Sequence, residues 1–142
     1  MKKILVSACL LGTPCRYDGK SKPNGEVIAL GEKYELVPVC PECLGGLKTP
    51  RLPAEIQGNR VIRSDGVDVT VEYELGAQKT LQIAKENGIE AAVLKSKSPS
   101  CGKYKIYDGT YSKTLVSGQG VAVKLLSKNN VKILDENELG NL

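Results

Sequence analysis

Cysteine is the residue type in this sequence best suited to chemistry, because the chain has five cysteines and no histidine. Without histidine there is no imidazole general base, no Ser-His-Asp triad and no histidine-ligated zinc. A reaction carried out by this chain must therefore use thiols, carboxylates, hydroxyls, lysine, tyrosine or a bound cofactor. The five thiols belong to Cys9, Cys15, Cys40, Cys43 and Cys101.

The spacing of these cysteines indicates a metal or redox site but leaves its kind open. Cys40 and Cys43 form one CxxC pair, whereas a closed structural zinc site takes four ligands, commonly from two such pairs. A cubane iron–sulfur cluster normally takes four cysteines, and a cluster held by three would leave one iron open to a soft substrate atom such as sulfur. A thioredoxin-like dithiol would lie at a helix N-terminus, and residues 44–47 (LGGL) are a poor helix start.

Alternating strands and helices must position these thiols. Four short apolar runs predict buried strands, and periodic apolar spacing predicts the clearest helix. This order indicates a single α/β domain over residues 1–142, with helices on both faces of a mainly parallel sheet of four or five strands. The predicted strands are residues 3–7, 35–39, 90–94 and 131–134, and the predicted helices are 26–33, 69–87 and 121–128.

Two further segments are predicted between the second strand and the long helix. Residues 41–57 are rich in Pro and Gly and are interpreted as an ordered functional loop. Residues 59–68 are predicted to form a small hairpin around Ser64-Asp65-Gly66, because an Asp-Gly pair favours tight turns.

Three cysteines follow the carboxyl ends of predicted strands. Cys9 lies two residues past the first strand, Cys40 one residue past the second, and Cys101 in the loop after the third. The carboxyl ends of parallel strands share one edge of the sheet, where α/β proteins bind ligands. Free cysteines are often small buried hydrophobic residues, but three of them in polar, Gly-rich and Pro-rich loops favour a shared site.

Charge and hydropathy exclude several classes of function. Twenty Lys and Arg against sixteen Asp and Glu give a net charge of +4, a mild excess that is weak evidence for nucleic-acid binding. No apolar run approaches the ~18 residues of a membrane span. The first residues lack the cleavage pattern of a signal peptide. We therefore expect a cytoplasmic protein without a membrane partner and without a stable nucleic-acid partner, as a monomer or a small homo-oligomer.

At the cysteines and the motifs around them the sequence resembles the thiouracil desulfurase family. The motifs occur in the family's order and span nearly the whole chain. They are residues 6–12 (VSACLLG), 15–19 (CRYDG), 38–42 (PVCPE), 45–47 (GGL), 50–55 (PRLPAE), 94–95 (LK) and 98–102 (SPSCG).

This resemblance implies a Rossmann-like three-layer fold that holds an oxygen-sensitive [4Fe–4S] cluster by only three cysteines, here Cys9, Cys40 and Cys101. The implied reaction is the non-redox removal of sulfur from a thiolated base or nucleoside such as 2-thiouracil, giving the oxo base and sulfide. In this hypothesis the open iron binds the substrate sulfur. Glu42 positions or deprotonates a water molecule, and Ser98 or Ser100 donates a hydrogen bond or relays a proton.

Four charged residues are candidates for contacts with the substrate or for ordering the loops: Arg16, Asp18, Arg51 and Lys95. Two other functions compete with the desulfurase. One is a non-catalytic metal-binding, iron–sulfur or sulfur-carrier protein, and the other is a dithiol redox enzyme that uses Cys40 and Cys43.

Overall fold

A four-stranded parallel sheet forms the centre of the molecule, and the computed structural model describes all 142 residues. Its strands lie in the order β2 (Glu35–Val39), β1 (Lys3–Ser7), β5 (Ala91–Leu94) and β8 (Lys132–Asp135), and every neighbouring pair is parallel. The predicted α/β class and the four predicted strands are confirmed, two of them with identical bounds.

Helices cover both faces of this sheet, as the sequence predicts. The side chains of β1 contribute to two core layers, because successive side chains of a strand point to opposite faces of the sheet. Ile4 and Val6 pack with Val27 on one face, whereas Leu5 packs with Val123 and Leu126 on the other. The helices are α1 (Gly25–Ala29), α2 (Pro41–Leu44), α3 (Thr70–Glu86) and α4 (Val121–Lys128).

Short 3-10 segments follow or replace parts of the predicted helices. The predicted helix over 26–33 ends at Ala29 and continues as a 3-10 turn, Leu30–Glu32. Asn24 begins α1, since its side chain accepts hydrogen bonds from the backbone N–H groups of Glu26 and Val27. The remaining 3-10 segments are Ala8–Leu11 and Leu139–Asn141.

Two antiparallel hairpins lie outside the main sheet; the first differs from the hairpin predicted over residues 59–68, and the second was not predicted. The first pairs β3 (Ala54–Gln57) with β4 (Arg60–Arg63), so its turn falls at residues 58–59. The predicted turn at residues 64–66 exists, but it closes only an isolated bridge between Ile62 and Asp68. The second hairpin pairs β6 (Lys105–Tyr107) with β7 (Leu115–Ser117).

The interpretation of residues 41–57 as a loop is wrong at both ends, since they contain α2 and β3. The one-turn helix α2 begins directly after Cys40, with Pro41 at its first position, where a missing N–H costs nothing. The CxxC pair therefore does lie at a helix N-terminus, contrary to the expectation from LGGL. No helix of the structure is both long and apolar enough to cross a membrane.

Two glycines allow α2 and α3 to touch through their backbones. A Cβ at Gly76 would lie 1.8 Å from the carbonyl oxygen of Pro41, and one at Gly45 would lie 1.9 Å from that of Glu72. Neither carbonyl can move without shifting its helix. This contact fixes α2 against the long helix and so fixes the residues that α2 carries.

Replacing Gly76 by alanine is expected to destabilise the fold by about 1–3 kcal/mol, the usual cost of forcing extra atoms into a packed site. Higher helix propensity offsets this loss by at most ~1 kcal/mol. The measurement is thermal unfolding of the metal-free protein. Gly25→Ala is the matched control, because nothing lies within 4 Å of a Cβ built there. Equal melting temperatures for the two variants would contradict the tight contact.

Candidate active site

A cavity of about 600 Å³ opens at the carboxyl edge of the parallel sheet. The loops after β1, β2 and β5 form one side of it, and the two hairpins contribute the other. Of the residues singled out from the sequence, only Asp18 and Cys43 do not line the cavity. The lining residues among them are Cys9, Arg16, Cys40, Glu42, Arg51, Lys95, Ser98, Ser100 and Cys101.

The three thiols predicted to converge all line this cavity. Cys9 and Cys101 are buried and Cys40 is half-buried. Burial, together with the neighbouring thiols of Cys101 and Cys40, raises the pKa of Cys9 to about 12. Burial also raises the pKa of Cys101 to about 11, against hydrogen bonds from Ser100 and Ser7. The thiols are thus close enough across the cavity to affect one another's pKa values.

Thiols with raised pKa values are protonated at neutral pH and are poor nucleophiles as they stand. Such a group becomes a thiolate when a metal centre binds it, because the metal's positive charge outweighs the cost of burial. Three soft sulfur donors around one cavity therefore suit iron–sulfur or other soft-metal chemistry. No three Cys, Asp or Glu side chains lie close enough together to ligate a single ion. The three thiols lie at separate positions in the lining of the cavity.

Only one thiol of the CxxC pair faces the cavity. Cys40 caps the start of α2, whereas Cys43 is exposed near the end of that turn and is not part of the lining. Both sulfurs lie near the carbonyl oxygen of Cys15, at 3.8 and 3.9 Å. The pKa of Cys40 is raised by the Cys15 thiol and by burial, and that of Cys43 by burial. These raised values are opposite to those of a reactive dithiol.

Glu42 lies at the centre of a hydrogen-bond network on the cavity wall. Its Oε1 accepts hydrogen bonds from the Tyr73 hydroxyl at 2.7 Å and from the Arg51 guanidinium at 3.3 Å. Its Oε2 accepts a hydrogen bond from Ser100 Oγ at 3.2 Å. The side chain is 16% exposed, so the carboxylate is fixed by protein groups yet reaches the cavity.

Arg51 is fully engaged inside the protein, since all five of its N–H donors have acceptors. Its Nε and one Nη2 hydrogen bond go to Glu42, and its other Nη2 hydrogen bond goes to the carbonyl of Cys15 at 3.1 Å. Nη1 donates to the Lys48 carbonyl and to Thr49 Oγ1. A guanidinium has five donors and no acceptor, so Arg51 has none left for a substrate.

The loop after β5 holds the two predicted serines in different ways. Ser98 Oγ accepts hydrogen bonds from the backbone N–H groups of Ser100 and Cys101, both at 3.1 Å, and lies 3.0 Å from Ser100 Oγ. Ser98 thereby orders the loop, while Ser100 contacts Glu42. The first turn of α4 binds the carbonyls of Pro99 and Ser100 with its own N–H groups, which fixes the loop to the helix.

The remaining predicted contacts, Lys95, Arg16 and Asp18, are held in ion pairs. Lys95 Nζ lies 3.0 Å from Glu136, and Arg16 lies 4.0 Å from Asp18. Arg16 reaches the cavity wall, whereas Asp18 bonds the backbone N–H of Lys20. Asp18 is therefore placed to hold Arg16 and the turn around it.

Two residues that shape this site, Tyr73 and Glu55, were not predicted as functional from the sequence. Tyr73 lies within the helix predicted over 69–87 from its periodic apolar spacing, and its hydroxyl group donates a hydrogen bond to Glu42. Glu55, a member of the PRLPAE motif, accepts hydrogen bonds from the N–H groups of Gly109 and Tyr111 and so attaches the β6–β7 loop to the cavity. That loop and its flanking strand bring Tyr107, Tyr111 and Lys113 to the lining. No local signal indicates these long-range contacts.

Known proteins match this chain over nearly its whole length. YbbK, an uncharacterized protein of Bacillus subtilis (strain 168), is 42% identical over 149 aligned positions that cover 98% of this chain and 99% of YbbK. The solved structure of TudS, a [4Fe–4S]-dependent thiouracil desulfidase, is 43% identical and superposes with a TM-score of 0.95, covering 100% of this chain and 95% of that one. The sequence model of the 2-thiouracil desulfurase family matches residues 4–138. This chain, with its cysteine-lined cavity, therefore belongs to the 2-thiouracil desulfurase family.

Proposed function

We propose that this chain is a [4Fe–4S]-dependent desulfurase that replaces the sulfur of a thiolated pyrimidine such as 2-thiouracil by oxygen. Water supplies the oxygen, and the products are the oxo base and sulfide, so no electrons are gained or lost. The observation that carries the proposal is one cavity lined by three strand-end thiols and by the Glu42–Ser100 pair. Family membership and the likeness to TudS support it.

Cys9, Cys40 and Cys101 would ligate the cluster, since each follows the carboxyl end of a sheet strand and lines the cavity. The donor set fits, because thiolates are the usual ligands of iron–sulfur clusters. When bound, a cluster with three protein ligands supplies a Lewis-acidic iron for a soft sulfur atom. Such an oxygen-sensitive group and five free thiols suit the reducing cytoplasm, where we place the protein.

Glu42 is proposed as the group that holds the attacking water and accepts its proton. Its Oε1 is occupied by Tyr73 and Arg51, so Oε2 is the oxygen available for proton transfer. Ser100 Oγ touches Oε2 and would carry the proton onward or hold the ring, with Ser98 supporting it at 3.0 Å. Positioned proton transfer of this kind contributes about 10²–10⁴-fold to a rate.

Substrate contacts are proposed for Arg16 and Lys95, which line the cavity from two different loops. Asp18 would act through Arg16. Arg51 would orient Glu42, because its donors are already taken. The substrate is proposed to be a free base or nucleoside that enters from solvent.

The test is anaerobic reconstitution of the cluster followed by incubation with 2-thiouracil. We expect a brown protein that releases sulfide and uracil in equal amounts, measured by sulfide assay and chromatography. A reconstituted cluster without sulfide release would instead support a carrier. A protein that takes up no iron and releases no sulfide would refute the proposal.

A further inference from the structure

Tyr73 places a hydroxyl group in the cavity wall from the first turns of α3. The residue is 2% exposed, and its hydroxyl donates a hydrogen bond of 2.7 Å to Glu42 Oε1. Hydrogen bonds to an ionised carboxylate are short and about twice as strong as those between neutral groups. The hydroxyl group of this buried tyrosine hydrogen-bonds to this carboxylate, so Tyr73 contributes a polar contact as well as apolar packing.

The two oxygens of Glu42 therefore have separate partners. Oε1 accepts hydrogen bonds from Tyr73 and Arg51, whereas Oε2 accepts one from Ser100 in the loop after β5. Loss of either donor on Oε1 would let the carboxylate rotate about its last bond. A partial turn would move Oε2 away from Ser100 Oγ and break that hydrogen bond.

Tyr73 is suited to act as a permanent donor. Burial, and after it the charge of Glu42, raises the pKa of this phenol, so the hydroxyl keeps its proton at neutral and mildly alkaline pH. The backbone contact of Gly76 with α2 sets the distance between the two helices. The tyrosine ring spans that distance, and its hydroxyl group therefore meets Glu42 without moving either helix.

We infer that Tyr73 is a positioning residue for Glu42, holding the carboxylate so that Oε2 faces the reacting water and Ser100. The expected effect on turnover rests on the proposed function, whereas the contact between Tyr73 and Glu42 rests on the hydrogen-bond geometry. In this role Tyr73 acts through Glu42. Its effect should therefore appear in turnover and not in substrate binding.

The kinetic test compares Tyr73→Phe with wild type in reconstituted enzyme. Losing one hydrogen bond to a charged group is expected to lower kcat by roughly 10-fold to 100-fold, with KM and the cluster absorbance unchanged. Tyr34→Phe is the control, because Tyr34 packs against the core cluster of Ile4 and Val6 and does not line the cavity, and we expect it to keep full activity. In the Glu42→Gln background, Tyr73→Phe should cause no further loss. Full kcat in Tyr73→Phe, or independent losses in the double variant, would overturn the inference.

A second readout needs no activity. The chain has six tyrosines and no tryptophan, so tyrosine dominates the near-ultraviolet absorbance of the metal-free protein. Glu42→Gln weakens the acceptor of the Tyr73 hydroxyl and should give a tyrosine difference band that is absent when the same change is made in Tyr73→Phe. Identical bands in both backgrounds, or none in either, would refute the contact. If wild type releases no sulfide, the proposed function fails and this spectrum alone decides the inference.

Discussion

Glu42→Gln is expected to lower sulfide release from 2-thiouracil by about 10²–10⁴-fold while the cluster still assembles. Glutamine keeps the shape of the side chain and can still accept the Tyr73 hydroxyl hydrogen bond. It cannot take a proton from water at neutral pH, and it leaves the Arg51 charge without its partner. Sulfide release and the visible absorbance of the reconstituted variant are the two measurements.

A control at an exposed glutamate separates this effect from a change in net charge. Glu86→Gln removes the same charge at the far end of α3, where the carboxylate contacts only Gln82 among side chains, and it should leave turnover intact. Melting temperatures of both metal-free variants report any loss of stability. Wild-type turnover in Glu42→Gln would show that another group handles the proton.

Alanine at Cys9, Cys40 or Cys101 is expected to abolish both the cluster absorbance and sulfide release. Each of these thiols lines the cavity, and with only three proposed ligands none can be spared. Cys43→Ala is the matched control, because this thiol is exposed and outside the lining. The measurements are iron content, visible absorbance and sulfide release after anaerobic reconstitution.

The pattern among these four variants also distinguishes the alternatives. Activity lost in Cys43→Ala but kept in Cys9→Ala would mean that the CxxC pair is the reactive unit. A cluster that forms without Cys9 or Cys101 would contradict the ligand set. Because Cys43→Ala also removes one thiol, it controls for the loss of a thiol as such.

The central sheet could be predicted from sequence because its strands are short continuous apolar runs. β1, β2 and α4 were predicted with the bounds they have in the structure. Strand ends then located Cys9, Cys40 and Cys101 at one edge without any knowledge of side-chain geometry. This part of the site follows from local patterns and topology alone.

The rest of the site depends on contacts between distant segments. A single helical turn such as α2 is too short to be predicted from helix propensities. It is held in place by the contact of Gly45 and Gly76 between α2 and α3. Tyr73 has the same apolar spacing as a core residue, and only the folded chain shows its hydroxyl beside Glu42. The β6–β7 loop is placed by Glu55 across more than fifty residues.

The backbone contact between α2 and α3 divides the cavity into a rigid half and an adjustable half for protein engineering. The rigid half carries Cys40, Glu42 and Tyr73 on two helices whose separation is set by direct contact between their backbones. The adjustable half is the loop at residues 108–114, attached mainly through side chains of the β3–β4 hairpin. Libraries aimed at a new substrate size should vary that loop, because changes at the helix contact would displace the thiol and the carboxylate together.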